Sequence, residues 1–116
     1  MRIAIPLADG KLAMHFGHCQ HFALIDVDTD VDTSGTKVVS RKDIEAPPHQ
    51  PDLLPLWLAA RGVNMIIAGG MGQRAHGLFA EQGMQVVIGA PAETPEKLVA
   101  EYFGGTLITG ENTCDH

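Results

Sequence analysis

Val63-Asn64-Met65-Ile66-Ile67-Ala68-Gly69-Gly70-Met71-Gly72-Gln73-Arg74-Ala75 is the stretch on which the reading of this chain turns. Residues 63–68 form the most apolar strand candidate in the sequence, and they run directly into three glycines and a helical pattern. A short continuous apolar run of this kind reads as a strand buried on both faces, as in parallel sheets. A helix over about 73–82 follows, with Ala75, Leu78 and Phe79 on one side and Gly83 closing it. Strand, glycine turn and helix make half of a β-α-β crossover, which points to the α/β class.

Working back from that stretch, residues 53–61 place Leu54, Trp57, Leu58 and Arg61 at helical spacing and end at Gly62, with Pro55 tolerable near the start. Residues 45–51 hold three prolines and exclude regular structure. Residues 2–7 form a buried strand, stopped by Asp9-Gly10, and residues 22–27 form a second. An acidic loop over 28–35 separates the second from residues 37–41, so these two read as an antiparallel hairpin whose outer member is polar enough to be a sheet edge. Downstream, residues 85–88 form a fifth strand. Thr94 caps a last helix, with Pro95 in its first position, Leu98, Val99 and Tyr102 facing inward, and Gly104-Gly105 after it. Right-handed crossovers then put the first strand in the middle, with the hairpin on one side and the two helix-linked strands parallel to it on the other. The expected crevice lies at the switch point beyond the carboxyl ends, where residues 8–21 meet the turn at Gly69 to Gly72. Residues 1–109 read as a single domain and residues 110–116 as a flexible Cys/His-containing tail.

The bulk numbers narrow the function. A chain of 116 residues is one domain, which excludes a two-domain enzyme. Eight Lys plus Arg against 14 Asp plus Glu give a net charge of -6, which argues against nucleic acid or acidic lipid as partners. No apolar run is long enough to span a bilayer, and no basic-then-apolar segment precedes Ile3, so the expectation is a cytoplasmic protein without a membrane partner. Two cysteines in a reducing compartment read as thiols or metal ligands rather than a structural bridge.

Soft donors concentrate in two places. In His15-Phe16-Gly17-His18-Cys19-Gln20-His21, four of seven residues carry imidazole or thiol, the ligands that zinc, copper and thiophilic clusters prefer. Cys114-Asp115-His116 adds a thiol and an imidazole at the end of the tail. His15, His18, Cys19, His21, Cys114 and His116 are thus the candidate metal ligands, and His49, among prolines, is the weakest histidine. The turn formed by Gly69, Gly70, Met71 and Gly72 brings backbone amides and a helix start to the same rim, a setting that favours an anion, and Arg74 adds a positive charge there. The spacing matches neither the dinucleotide fingerprint nor a Walker loop. Glycine at a tight turn also has the simpler use of permitting positive φ. Met71 is more often packing than ligand, and His76, off the apolar stripe of its helix, belongs at the site rim.

Three segments carry a family resemblance: Met1-Arg2-Ile3-Ala4-Ile5-Pro6, His15-Phe16-Gly17 followed by Phe22, and Ile67-Ala68-Gly69-Gly70-Met71-Gly72-Gln73-Arg74-Ala75. Together with Gly104-Gly105 in the expected order, the chain resembles the dinitrogenase iron-molybdenum cofactor binding family, which includes NifX-like proteins, the carboxy-terminal part of NifB and the orange protein of sulfate reducers. That resemblance implies a ribonuclease-H-like three-layer α/β/α fold around a five-stranded mixed sheet. It also implies a non-catalytic role in binding, storing or carrying an anionic molybdenum-containing metal-sulfur cluster, with iron or copper, and a possible donor or acceptor protein for that cluster. The expected cofactor-binding residues are Gly69, Gly70, Met71, Gly72, Arg74 and His76. His18, Cys19 and the tail make this copy richer in soft donors than noncovalent holding would need, which opens direct ligation. The alternative is a simple copper or zinc chaperone or sensor using the His/Cys set. A nuclease or phosphatase on the same fold fits poorly, because Asp9 is the only carboxylate well placed after the first strand. Histidine charge at the site would tighten anionic-cluster binding as pH falls toward the histidine range.

Overall fold

The structure is a computed structural model that describes residues 1–13, 19–30, 35–47, 53–105, 107 and 109. Its elements in chain order are β1 (Arg2–Ala8), β2 (Lys11–Leu12), β3 (His21–Asp30), β4 (Gly35–Glu45), α1 (Leu53–Ala59), β5 (Met65–Ile67), α2 (Gln73–Glu81), β6 (Gln85–Val87) and α3 (Pro95–Gly104). One mixed sheet runs β4-β3-β1-β5-β6. β1 is antiparallel to β3 and parallel to β5, which is parallel to β6. The apolar run at 63–68 and the two crossovers therefore produce the expected arrangement, with β1 in the centre.

The sheet has six strands rather than the expected five. The sixth is β2, which pairs antiparallel with the end of β1 in the register Leu7 to Leu12 and Ala8 to Lys11. Asp9 and Gly10 both take positive φ, 55° and 81°. Two such residues in succession form the mirror-image turn that suits the twist of a tight hairpin. Asp9-Gly10 therefore folds the chain back onto β1 instead of merely ending it. The polar hairpin is also longer than its apolar positions suggested, and its ladder slips by one residue between Asp26 and Val27.

Strand alternation divides the core. Ile3, Ile5, Leu7, Ala23, Ile25, Met65 and Ile67 turn to one face, where α3 covers them with Leu98 and Val99. Ala4, Phe22, Leu24 and Ile66 turn to the other face, where α1 supplies Leu58 and α2 supplies Phe79. Three layers follow from this alternation, with two helices on one face and one on the other. α1 is shorter than the spacing predicts. After Ala59 the hydrogen bonds tighten from Ala60 to Leu56 into Arg61 to Leu58 and Gly62 to Ala59, and Gly62 (φ 76°) turns the chain away. Thr94 sits at the start of α3 as expected, but its side chain makes no capping bond; Pro95 in the first turn and left-handed Gly105 (φ 76°) bound the helix.

Candidate functional site

The carboxyl ends of β1, β5 and β6 share one rim of the sheet. β3 begins and β4 ends at the same rim, because Leu7 stands opposite His21 and His21 opposite Glu45. β3 occupies one edge of β1 along its whole length, so β2 must lie on the other edge, in the lane that β5 fills lower down. Pro6 marks the exchange. The Leu7 carbonyl accepts from Gln20 N (3.0 Å) on the β3 side, whereas the Pro6 carbonyl accepts from Ala13 N (2.8 Å) on the opposite side. Proline has no N–H to offer there, so the β1–β5 ladder cannot continue and β2 takes over. Leu12 N then bonds to Glu93 O (3.0 Å), which ties β2 to the loop before α3. A hairpin thus occupies the β5-side lane of the rim at which the switch-point crevice was expected. Residues 14–18, outside the described residues, join two anchors, Ala13 and Cys19, on either side of the end of β1.

The glycine turn follows β5 at the same rim. It is stitched to the segment after β6 by Ala68 N to Val87 O (2.8 Å), Gly89 N to Gly69 O (2.9 Å) and Ala90 N to Ala68 O (3.2 Å). Gly69 and Gly70 are buried, and Met71 is 1% exposed within the α1–α2 core, where it packs. Positive φ is not what these glycines supply, since none of Gly69, Gly70 and Gly72 adopts it. Gly72 (φ -66°, ψ 155°) is the N-cap of α2, in a conformation open to any residue, and a Cβ there would meet nothing within 4 Å. Neither backbone nor packing demands glycine at 72. Its effect is to leave the start of α2 without a side chain over it, while Arg74 and His76 stand exposed on the first turns.

The soft donors that the structure describes do not converge. Cys19 packs half-buried against the α1–α2 core, and burial pushes its thiol up to about 11, so it holds its proton at neutral pH. His21 is exposed, and the alternation that sends Phe22 to the α1–α2 face sends His21 to the α3 face. His15, His18, Cys114, His116 and His49 lie outside the described residues. Among the described residues no group of three His, Cys, Asp or Glu side chains comes together. Asp9, on which phosphoryl chemistry depended, is an exposed hairpin-turn residue. Sequence reasoning overlooked the contribution of β2 and of Gly89, Ala90 and Glu93 to this rim; Asp9-Gly10 was the available signal for the first, and Gly89, which takes positive φ in the structure two residues before Pro91, for the second.

The sequence profile of the family described as dinitrogenase iron-molybdenum cofactor matches residues 1–105. The chain belongs to this family. An uncharacterised protein of Methanocaldococcus jannaschii is 24% identical over 86 residues, covering 74% of this chain and 72% of that protein. The crystal structure of the protein PH0822 superposes with a TM-score of 0.82 at 26% identity, covering 94% of each chain. The apo form of the orange protein from Desulfovibrio gigas shares the fold, with a TM-score of 0.68 at 19% identity over 96% of this chain and 93% of that one. Among the described residues of this family member no helix is long and apolar enough to cross a membrane.

Proposed function

We propose that the chain binds and carries an anionic molybdenum-containing metal-sulfur cluster, with iron or copper as second metal, and catalyses no reaction of its own. The observation that carries this reading is the uncovered start of α2 at Gly72, set where the turn of Gly69 to Gly72 ends and flanked by Arg74, in a chain of the iron-molybdenum cofactor family. An α-helix start concentrates partial positive charge on its first amides, so a compact polyanion is held there without bulk positive charge on the protein. That matters in a chain of net charge -6. Gly69 and Gly70 let the backbone turn close beneath the cargo, Met71 anchors the turn in the core, and Arg74 and His76 supply donors at its edge. Cys19 is a conditional ligand. Burial pushes its thiol up to about 11, so a metal must displace that proton to form a sulfur bond. His15, His18, His21, Cys114 and His116 complete the proposed donor set. The setting is a reducing cytoplasm, and the partner is a protein that donates or accepts the cluster.

Reconstitution with tetrathiomolybdate plus copper or iron is expected to give a visible charge-transfer band that persists through gel filtration. The triple variant Arg74→Ala, His18→Ala, Cys19→Ala should lose it. Retention of the band in that variant, or natively isolated protein holding zinc or copper without molybdenum and inorganic sulfide, overturns the reading; the latter would favour the soft-metal chaperone.

A further inference from the structure

On the α1-facing side of the sheet, away from the glycine turn, two cavities of ≈ 270 and ≈ 590 Å³ adjoin at Arg61 and extend together along β4. Leu24 and Ile44 floor this groove and Trp57 walls it. The Arg61 guanidinium lies 3.8 Å over the Trp57 ring, and its Nη1 donates to the Trp57 carbonyl at 3.0 Å, so the cation is held in place before any ligand arrives. Arg2 is engaged by Asp26, but among the described residues neither Arg61 nor Lys42 has an ion-pair partner, and both are exposed. Arg61 and Lys42, with Arg2 paired to Asp26 and Glu45 at the far end, leave the lining of this groove with a net positive charge over an apolar floor, in a chain of net charge -6. Leu56, one residue before Trp57, is 59% exposed.

We propose that this groove docks an acidic segment of a partner protein whose apolar side chains seat on Leu24, Ile44 and Trp57. A small free anion would call for buried donors converging on one point. Here Lys42 and Arg61 line one cavity but are exposed rather than buried, Asp26 lines it with them, and the apolar floor needs a ligand with side chains of its own. Tryptophan and arginine are also the residues that most often anchor protein interfaces. The groove ends at residues 45–47, where Ala46 N bonds to Gln20 O at 3.0 Å, beside Cys19. A docked segment is therefore led toward the rim of the sheet. The inference does not depend on what cargo the rim holds.

Trp57 is the chain's single tryptophan, so its emission reports occupancy of the groove directly. Titration of the full chain with a synthetic Glu/Leu peptide is expected to shift that emission saturably, while the matching Lys/Leu peptide does not. Anisotropy of the labelled peptide should then show roughly tenfold weaker binding to the Lys42→Gln, Arg61→Gln variant and about threefold weaker binding to Lys42→Gln alone, which leaves the Arg61–Trp57 stack intact; Lys97→Gln on α3 should bind like the parent. Matched thermal unfolding of the variants separates lost docking from lost fold. Equal binding by parent and both variants, equal binding of the Lys/Leu peptide, or displacement of the peptide by equimolar inorganic phosphate would overturn the proposal. So would a parent dimer that the two substitutions dissociate, since the occupant would then be a second copy.

Discussion

Asp26 accepts hydrogen bonds from Arg2 Nε at 2.8 Å, from Arg2 Nη2 at 3.3 Å and from Ser40 Oγ at 3.1 Å. The Arg2 guanidinium is the main reason that its carboxyl lies below the usual carboxylate range, with desolvation opposing it. A folded-state pKa below the unfolded one gives stability that is complete above the unfolded value and is lost as pH falls through the folded value. Asp26→Asn should therefore lower the urea midpoint at pH 7, and the gap from the parent should close as pH drops below about 4, toward 2. A gap that is the same at both ends would mean that the carboxylate's charge plays no part. This pairing was not readable beforehand, because it depends on the register that sets Arg2 opposite Asp26. Cys19 and His21 part for a different reason: Cys19 precedes β3 and packs by the α1–α2 core, whereas alternation within β3 sends His21 to the α3 face, so the motif looked like one donor cluster only as a string of letters.

At the scale of elements, the glycine turn and α2 were readable because an apolar run, glycines and a helical stripe follow one another without overlap. The β1–β2 hairpin was not, because a two-residue strand has too few side chains to show any period. Its only mark is Asp9-Gly10, a sequence that equally suits a plain strand end. The start of α2 offers a clean separation of folding from function. Gly72→Asp puts a capping carboxylate where a Cβ meets no neighbour, in a backbone conformation that aspartate adopts readily. It should raise stability by a few tenths of a kcal/mol, measured by urea unfolding of the empty protein. The same substitution should lower retention of an anionic cluster severalfold, read from the charge-transfer band, because the helix start would face a fixed negative charge. Unchanged retention would remove α2 from the binding reading.

Across the whole molecule, two cores share one sheet, and their separation by strand parity was implicit in the alternation of β1 and β3. Leu58 in one core and Leu98 in the other are both fully buried. Leu58→Ala and Leu98→Ala should each cost about 2–5 kcal/mol. Unfolding should remain a single transition in both variants, with Trp57 emission and far-UV circular dichroism giving coincident curves, because neither helical layer can leave without exposing the same strands. Two separated curves would show the layers to be independent. The order of the sheet also has a consequence in time. β1 is the central strand and is made before both of its long partners; β3 follows it closely in sequence, whereas β5, its partner on the other edge, is made about sixty residues later. At about 5–20 residues per second, the growing chain carries its most buried strand with one edge unpaired for roughly 3–12 s. In that interval, among the described elements, the two-residue β2, folded back by Asp9-Gly10, is the one close enough in sequence to shelter part of that edge.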